Sequence, residues 1–474
     1  MTVIGAGAGG TAAVNGSFAV LVMNVTTQAI VGNGCTLKAE NGTITVKAED
    51  ATSLNLKTGN VTVGGTAAIG AAIEVAIYRN TVTAMIGNNC TVLAKAILVQ
   101  AASDRGITAK AVMAGAGGTA SVNGSILVLS IGAATADSDA NKANTNGGGN
   151  SSDKASDEAS KRGQAAVDHG YGQTVGAGNQ GNQYVDEANS IINGLANDNK
   201  SLINGYFTST SVDDKTYAGI GDNGSTTAKD GDVTVEATEK TKLDAIAGAA
   251  SGSGAASVGI SMNLAIINGT AEARLGGTVK ADKGNVKVHA QNILEIPNFI
   301  SSGGGAAGSA SVAGTITVIK AGEQAAAYIA PNANVYADGN VIVLAESAQD
   351  IRVINGSVSG GGAAGIGVAT NVIVFSNKTH SYIGDGAVVT ANANRGNVNF
   401  ADGTATSDVN ENYKNLNDKD TTTDYVSSKS NESAQSGVLV GAKSSQKIRS
   451  WVVSGAASGA VSVVGSVNVL VFGS

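Results

Sequence analysis

Few side chains in this 474-residue chain are spaced to do chemistry together. The best grouping is Asp137-x-Asp139-x-Asn141, three oxygen ligands at alternate positions, the pattern that opens a calcium loop. Lys142 stands where such a loop needs its turn glycine, and no Glu closes it. Asp418, Asp420 and Asp424 form a looser version of the same idea. Calcium at Asp137, Asp139 and Asn141 is the one cofactor the sequence admits. Otherwise none is expected. The histidines His169, His289 and His380 are scattered. No His-Glu-x-x-His zinc motif and no Gly-x-Ser-x-Gly nucleophile elbow occurs. Cys35 and Cys90 sit in similar surroundings, Asn33-Gly34-Cys35-Thr36 and Asn88-Asn89-Cys90-Thr91, and read as free thiols. Gly-x-Gly-x-x-Gly appears at Gly5/Gly7/Gly10, Gly303/Gly305/Gly308 and Gly360/Gly362/Gly365. A dinucleotide site would need a helix after it to hold pyrophosphate. Alternating strand follows instead, so these glycines read as turns. Thr43/Thr45 and Thr315/Thr317 form Thr-x-Thr pairs, but not in every repeat, as an ice-binding ladder would require. A carbohydrate-active enzyme would need acidic clusters with aromatic subsites, and aromatics are only 4 %. No catalytic residue is expected, and the chain reads as non-enzymatic.

Composition narrows the class further. There are 65 Gly and 2 Pro, with 42 % apolar and 14 % charged residues. Glycine is about twice its ordinary share, and charge is well below it. That excludes collagen, a coiled coil and a self-repelling disordered chain. The apolar run Phe18 to Met23 is far too short for a membrane-spanning helix. A net charge of −7 argues against nucleic acid and against an anionic membrane surface as partners. No signal peptide follows Met1, and both ends read as cut from the middle of repeats, so a fragment of a longer protein is expected.

The elements that must position any site come from an internal repeat. An apolar-Gly (or Ala) step recurs at Val31, Ile86, Ile220, Leu275, Ile329 and Ile383, with spacings of 55, 134, 55, 54 and 54. A turn glycine before small residues recurs at Gly10, Gly65, Gly118, Gly254, Gly305, Gly362 and Gly455. Between the anchors, segments such as Gly42 to Ala48 and Asn285 to Ala290 alternate in the half-buried strand pattern. Others, Phe18 to Met23 and Val372 to Phe375, are apolar on both faces and are expected to be covered on both sides.

The fold class expected is all-β: a parallel β-solenoid of ~55-residue repeats, each giving two or three coils ~4.8 Å apart. An alternative makes the glycines hairpin turns, with Arg352 to Ser359 and Ala363 to Phe375 as antiparallel partners. Two long spacings mark polar insertions. The expected organisation is solenoid over 1–133, an inserted lobe over 134–214, solenoid over 215–401, an inserted loop or hairpin over 402–441, and solenoid over 442–474. Tyr184, Ala188, Ile191 and Leu195 at helical spacing make the first insertion partly helical, with Asp157 to Val167 a second short helix.

The stretch Gly360 to Ala401 is the clearest copy of the repeat: Gly-Gly and small residues, a long apolar strand, Asn377-Lys378-Thr379, Tyr382-Ile383-Gly384-Asp385-Gly386, then Gly396-Asn397-Val398. It resembles the repeat regions of large bacterial surface adhesins of the leukotoxin-like and filamentous-haemagglutinin-like family. The resemblance covers the repeats and not the insertions. It implies a secreted, extracellular β-solenoid stalk on the bacterial surface. Its partners would be a host-surface or neighbouring-cell ligand, held by the insertions, or copies of itself end to end in a filament or matrix. A β-helix polysaccharide-active enzyme is the lesser alternative.

Overall fold

Small and β-branched residues alternating with period two form strand almost throughout the computed structural model, which describes residues 1–132, 215–408 and 427–473. Among the described residues there is no helix. Strand β1 (Thr2–Gly9) is followed by β2 (Ala12–Val31) and β3 (Thr36–Gly64), then β4 (Ala67–Ile86) and β5 (Thr91–Gly117). The next coil has β6 (Ala120–Ile131), β7 (Thr216–Ile220), β8 (Ser225–Ala228) and β9 (Val233–Ser253). Regular coils follow: β10 (Ala256–Leu275), β11 (Thr278–Ala281), β12 (Val286–Ala307), then β13 (Ala310–Ile329), β14 (Asn334–Ala337), β15 (Val341–Gly361). The chain ends through β16 (Ala364–Ile383), β17 (Val388–Ala391), β18 (Val398–Asp408), β19 (Ser427–Gln435), β20 (Val438–Ser458) and β21 (Val461–Gly473).

Two parallel sheets face each other. Sheet A runs β3, β5, β9, β12, β15 and β20 side by side, with the short strands in a row beside them. Sheet B runs β2, β4, β6, β10, β13, β16 and β21. Ala256 pairs with Ala310, and Ala310 with Ala364, so neighbouring strands lie 54 residues apart. One repeat is therefore one wide coil here, where two or three coils were expected. The arrangement is consistent with a β-solenoid. The hairpin alternative fails: β15 and β16 lie in opposite sheets and pair only with parallel neighbours.

Each coil has two kinds of corner. After sheet B the chain turns through a left-handed residue: Gly34, Asn89, Asn223, Gly277, Asn332 and Gly386 all have φ between 58° and 74°. Gly and Asn are the residues that tolerate that conformation. Asparagine ladders tie these corners across coils, with Asn88 N donating to Asn33 Oδ1 and Asp222 N to Asn88 Oδ1, both 2.8 Å. A second ladder runs Asp232, Asn285, Asn340, Gly437 before the long sheet A strands. At the opposite edge sheet A returns to sheet B through a stack of two-residue turns.

That edge is thin. A Cβ built at Gly259, Gly303 or Gly367 would overlap the backbone of the facing sheet. Away from it the sheets separate and enclose two apolar cores. One, beside the asparagine corners, holds Val99, Val235, Val288, Ile86, Leu275 and Ile329. The other holds Leu127, Leu129, Leu243, Phe299, Ile351 and Phe375. Each large buried side chain contributes about 1.5–3 kcal/mol relative to exposure. Outward apolar residues are not covered as expected: Phe18 is 49 % exposed, and Val372 and Val374 are half-buried.

Candidate functional site

Three groupings can carry function: the roots of the insertions, a polar layer inside the solenoid, and a charged ladder on sheet A. The first insertion leaves sheet B in mid-strand. Strand β10 pairs with β6 from Ala256 to Ile267 and with β7 from Ala271 to Leu275. Ladder bonds close on both sides, Gly132 N donating to Tyr78 O and Val82 N to Lys215 O. The root thus opens at the level of Asn268 to Thr270. Asp137, Asp139 and Asn141, the calcium candidates, lie outside the described residues, as do His169 and both helices expected at 157–167 and 184–195.

The second insertion leaves at a corner. The coil departs at Val398, four residues before the expected boundary, and resumes at Val438. Strands β18 and β19 pair antiparallel, and the Phe400 ring lies over Gly441, where a Cβ would meet it. Phe400 and Leu439 are both buried. Lys443 bridges Glu346 (3.0 Å) and Glu432 of β19, which ties the hairpin to the sheet. Asp418, Asp420 and Asp424 lie outside the described residues.

The polar layer separates the two cores just inside the first root. Asp50, Ser103, Glu239, Asn292 and Ser347 are register neighbours on the inner face of sheet A. Arg105, 1 % exposed, pairs with Glu239, whose Oε2 also accepts from Thr270 N at 3.0 Å. Glu323 enters from sheet B, and its Oε1 has no hydrogen-bond partner. Burial pushes its carboxyl up to about 7, with Arg105 and Asn292 opposing that shift. Both carboxylates crowd the space that a Cβ on Gly269 would take, so a larger residue there would push them aside. Beside them the Tyr78 hydroxyl meets Thr52 Oγ1 (3.0 Å) and Asp50 Oδ2 (3.2 Å), and burial pushes the phenol up to about 12.

On the outer face of sheet A, His289 lies between Glu236 (3.0 Å) and Glu346 (2.7 Å). Its hydrogen bonds hold both carboxyls down at about 2. Burial opposes the charge on His289, yet the two carboxylates raise its pKa. His380 is exposed. Among the described residues no group of three His, Cys, Asp or Glu is placed to hold a metal. Cys35 and Cys90 are free thiols on neighbouring coils, the Thr91 N donating to Cys35 O at 2.8 Å. Thr315 and Thr317 point inward, Thr317 Oγ1 donating to Ser301 Oγ (2.7 Å), and form no surface ladder.

The turn stack needs a correction at two of seven positions. Gly10, Gly65, Gly118, Gly254 and Gly362 occupy the two-residue turns. Gly305 lies inside β12 and Gly455 inside β20, and the turns are instead at Gly308 and Gly459. Small residues flank the turns on both sides, so composition slides by a few residues where register does not. A Cβ at Gly65, Gly118, Gly254, Gly308 or Gly362 would run into the carbonyl oxygen of the turn glycine one coil earlier.

Arg105, Glu239 and Glu323 were not singled out from the sequence. Their signal was available: each charge falls at an inward position, in phase with alanines such as Ala101, Ala237 and Ala321. Comparison with protein-family models, curated proteins and solved structures finds no match. The reading of function therefore rests on this geometry and on the repeat.

Proposed function

We propose that the chain is a non-enzymatic, adhesive segment of a secreted bacterial surface protein, in which a stiff solenoid presents its insertions to a host or neighbouring-cell ligand. One observation carries this reading. Strand β10 keeps a single register with β6 and β7 although 134–214 leaves between them. A scaffold that holds its ladder across such an exit can carry a variable segment at little cost, and recognition concentrates on segments borne by rigid elements. The repeat's resemblance to adhesin stalks supports an extracellular setting. The test removes residues 134–214 and joins the strand with a short link. Host-cell binding is expected to disappear while the melting transition stays within a few degrees. Retained binding, with or without lost stability, overturns the reading.

A second reading, assembly into filaments, is favoured by the two outermost coils. Val14, Phe18 and Val20 at one end, and Val467, Leu470 and Phe472 at the other, are exposed. Aligned on their turns, Gly16-Ser17 meets Gly465-Ser466 and Leu21-Val22 meets Leu470-Val471. A further coil of this pattern, from the same or another chain, fits either end. Long filaments in electron micrographs of purified protein would favour that reading over the stalk.

A further inference from the structure

We propose that the outer face of sheet B, over β10, β13, β16 and β21, is the surface on which a second copy of this chain packs. The side chains pointing out of this face toward the glycine edge are nearly all apolar. Leu264, Val318, Val372 and Val469 form one row across the four strands, and Val258, Val312, Ile366 and Val463 another. The outward apolar residues of β10 and β13 are half-buried and Ile366 of β16 is 5 % exposed; the higher values of Val463, Val469 and Val471, 48 %, 39 % and 44 %, belong to β21, which pairs on one side only. In β4 and β6 the equivalent Ile73, Val75 and Val128 are already buried, so the open surface is the four-strand part. Lys320 is its one charge, in the row nearest the polar half of the sheet.

The area suits a dimer. Four strands about 4.8 Å apart, by five outward positions about 6.7 Å apart, make roughly 600 Å² on each copy. Pairing two such faces buries about 1,200 Å², the lower bound for a stable specific interface. One copy alone would leave exposed a patch at the top of the range for monomers. A twofold axis would set this face against the same face of the second copy and close the pair. A bilayer is the poorer occupant, because the chain carries a net charge of −7, which anionic lipid repels. Segment 134–214 is polar over 134–166 and gathers its larger apolar residues between Tyr184 and Phe207, so it is the alternative occupant that the deletion below separates from a second copy.

The test is the mass of the full chain in solution. Sedimentation over a wide concentration range should show twice the 46.5 kDa monomer. The double variant Val318→Lys, Val372→Lys should weaken association about a hundredfold, roughly tenfold for each buried lysine. Its circular dichroism and melting should match the parent. Val318→Thr with Val372→Thr is the milder pair should the lysines unfold the sheet, and it should also weaken the dimer. A chain that is monomeric throughout overturns the proposal, and so does a dimer indifferent to either pair. Monomers that float with phosphatidylcholine vesicles assign the face to a bilayer instead. A monomer that dimerises only when 134–214 is deleted assigns it to that segment. The pairing predicted here survives that deletion, so its failure and the failure of the stalk reading are distinguishable.

Discussion

Glu323 is the residue whose placement has the clearest thermodynamic consequence. Its carboxyl is fully buried and holds a proton up to about pH 7, where an exposed glutamate loses it near 4.5. Between those values the folded chain binds a proton that the unfolded chain has lost, so stability falls as pH rises. The contribution is fully present below 4.5 and is gone above about 7. Its size is at most about 3 kcal/mol. Glu74, buried on the inner face of β4, is pushed up to about 7 by the same loss of hydration and adds to the slope. Glu323→Gln should flatten the fall in melting temperature between pH 5 and pH 8, read by circular dichroism. An unchanged slope would place the proton elsewhere. The turn glycines make a second contrast at this scale. A methyl at Gly308 collides with the Gly254 carbonyl, while at Gly455 it meets nothing within 4 Å. Gly308→Ala should cost about 1–3 kcal/mol, and Gly455→Ala should be neutral or stabilising by about 0.5 kcal/mol. Denaturant melts of the two variants side by side check this.

At the scale of elements, the hairpin β18–β19 docks through one aromatic side chain. Phe400 fills the space over Gly441, and Lys443 holds Glu432 beside it. Phe400→Ala should cost about 3 kcal/mol locally. Amide exchange should quicken in β18 and β19 and stay slow in β15, whose ladder is complete on both sides. Loss of protection in β15 as well would show that the hairpin supports the coil and is not merely carried by it. The polar layer works across elements in the same way. Arg105 on β5 neutralises Glu239 on β9 beside Glu323 on β13, so three coils share one charge balance.

The described coils stack as a wedge, thin at the glycine edge and broader toward the asparagine corners. Its two outer faces differ. Sheet A carries the His289 ladder and its ion pairs, while sheet B is apolar toward the thin edge. Toward the thin edge sheet A also exposes apolar side chains, Val112, Val358 and Val453 among them, so the contrast lies in the ion pairs that sheet A carries farther from that edge. Stiffness follows from every coil being bonded along its length to the next.

Much of this was legible in the residues alone. Period-two alternation marks strands wherever one face is buried. Asn-Gly steps are a poorer guide to corners: Asn33-Gly34 and Asn223-Gly224 sit there, while Asn41-Gly42, Asn123-Gly124 and Asn268-Gly269 lie inside strands. Departures from a spacing near 54 signal extra chain, since a regular ladder must let it leave somewhere. The coil size was not legible, because the same spacing serves one wide coil or several narrow ones. Only pairing of Ala256 with Ala310 decides it. The turn positions at Gly308 and Gly459 were blurred by small residues around them, since glycine content reports close approach without saying which glycine makes it. The polar layer was invisible for a deeper reason. Arg105, Glu239 and Glu323 are far apart in sequence, and each looks like an ordinary surface charge until the coils stack and turn all three inward.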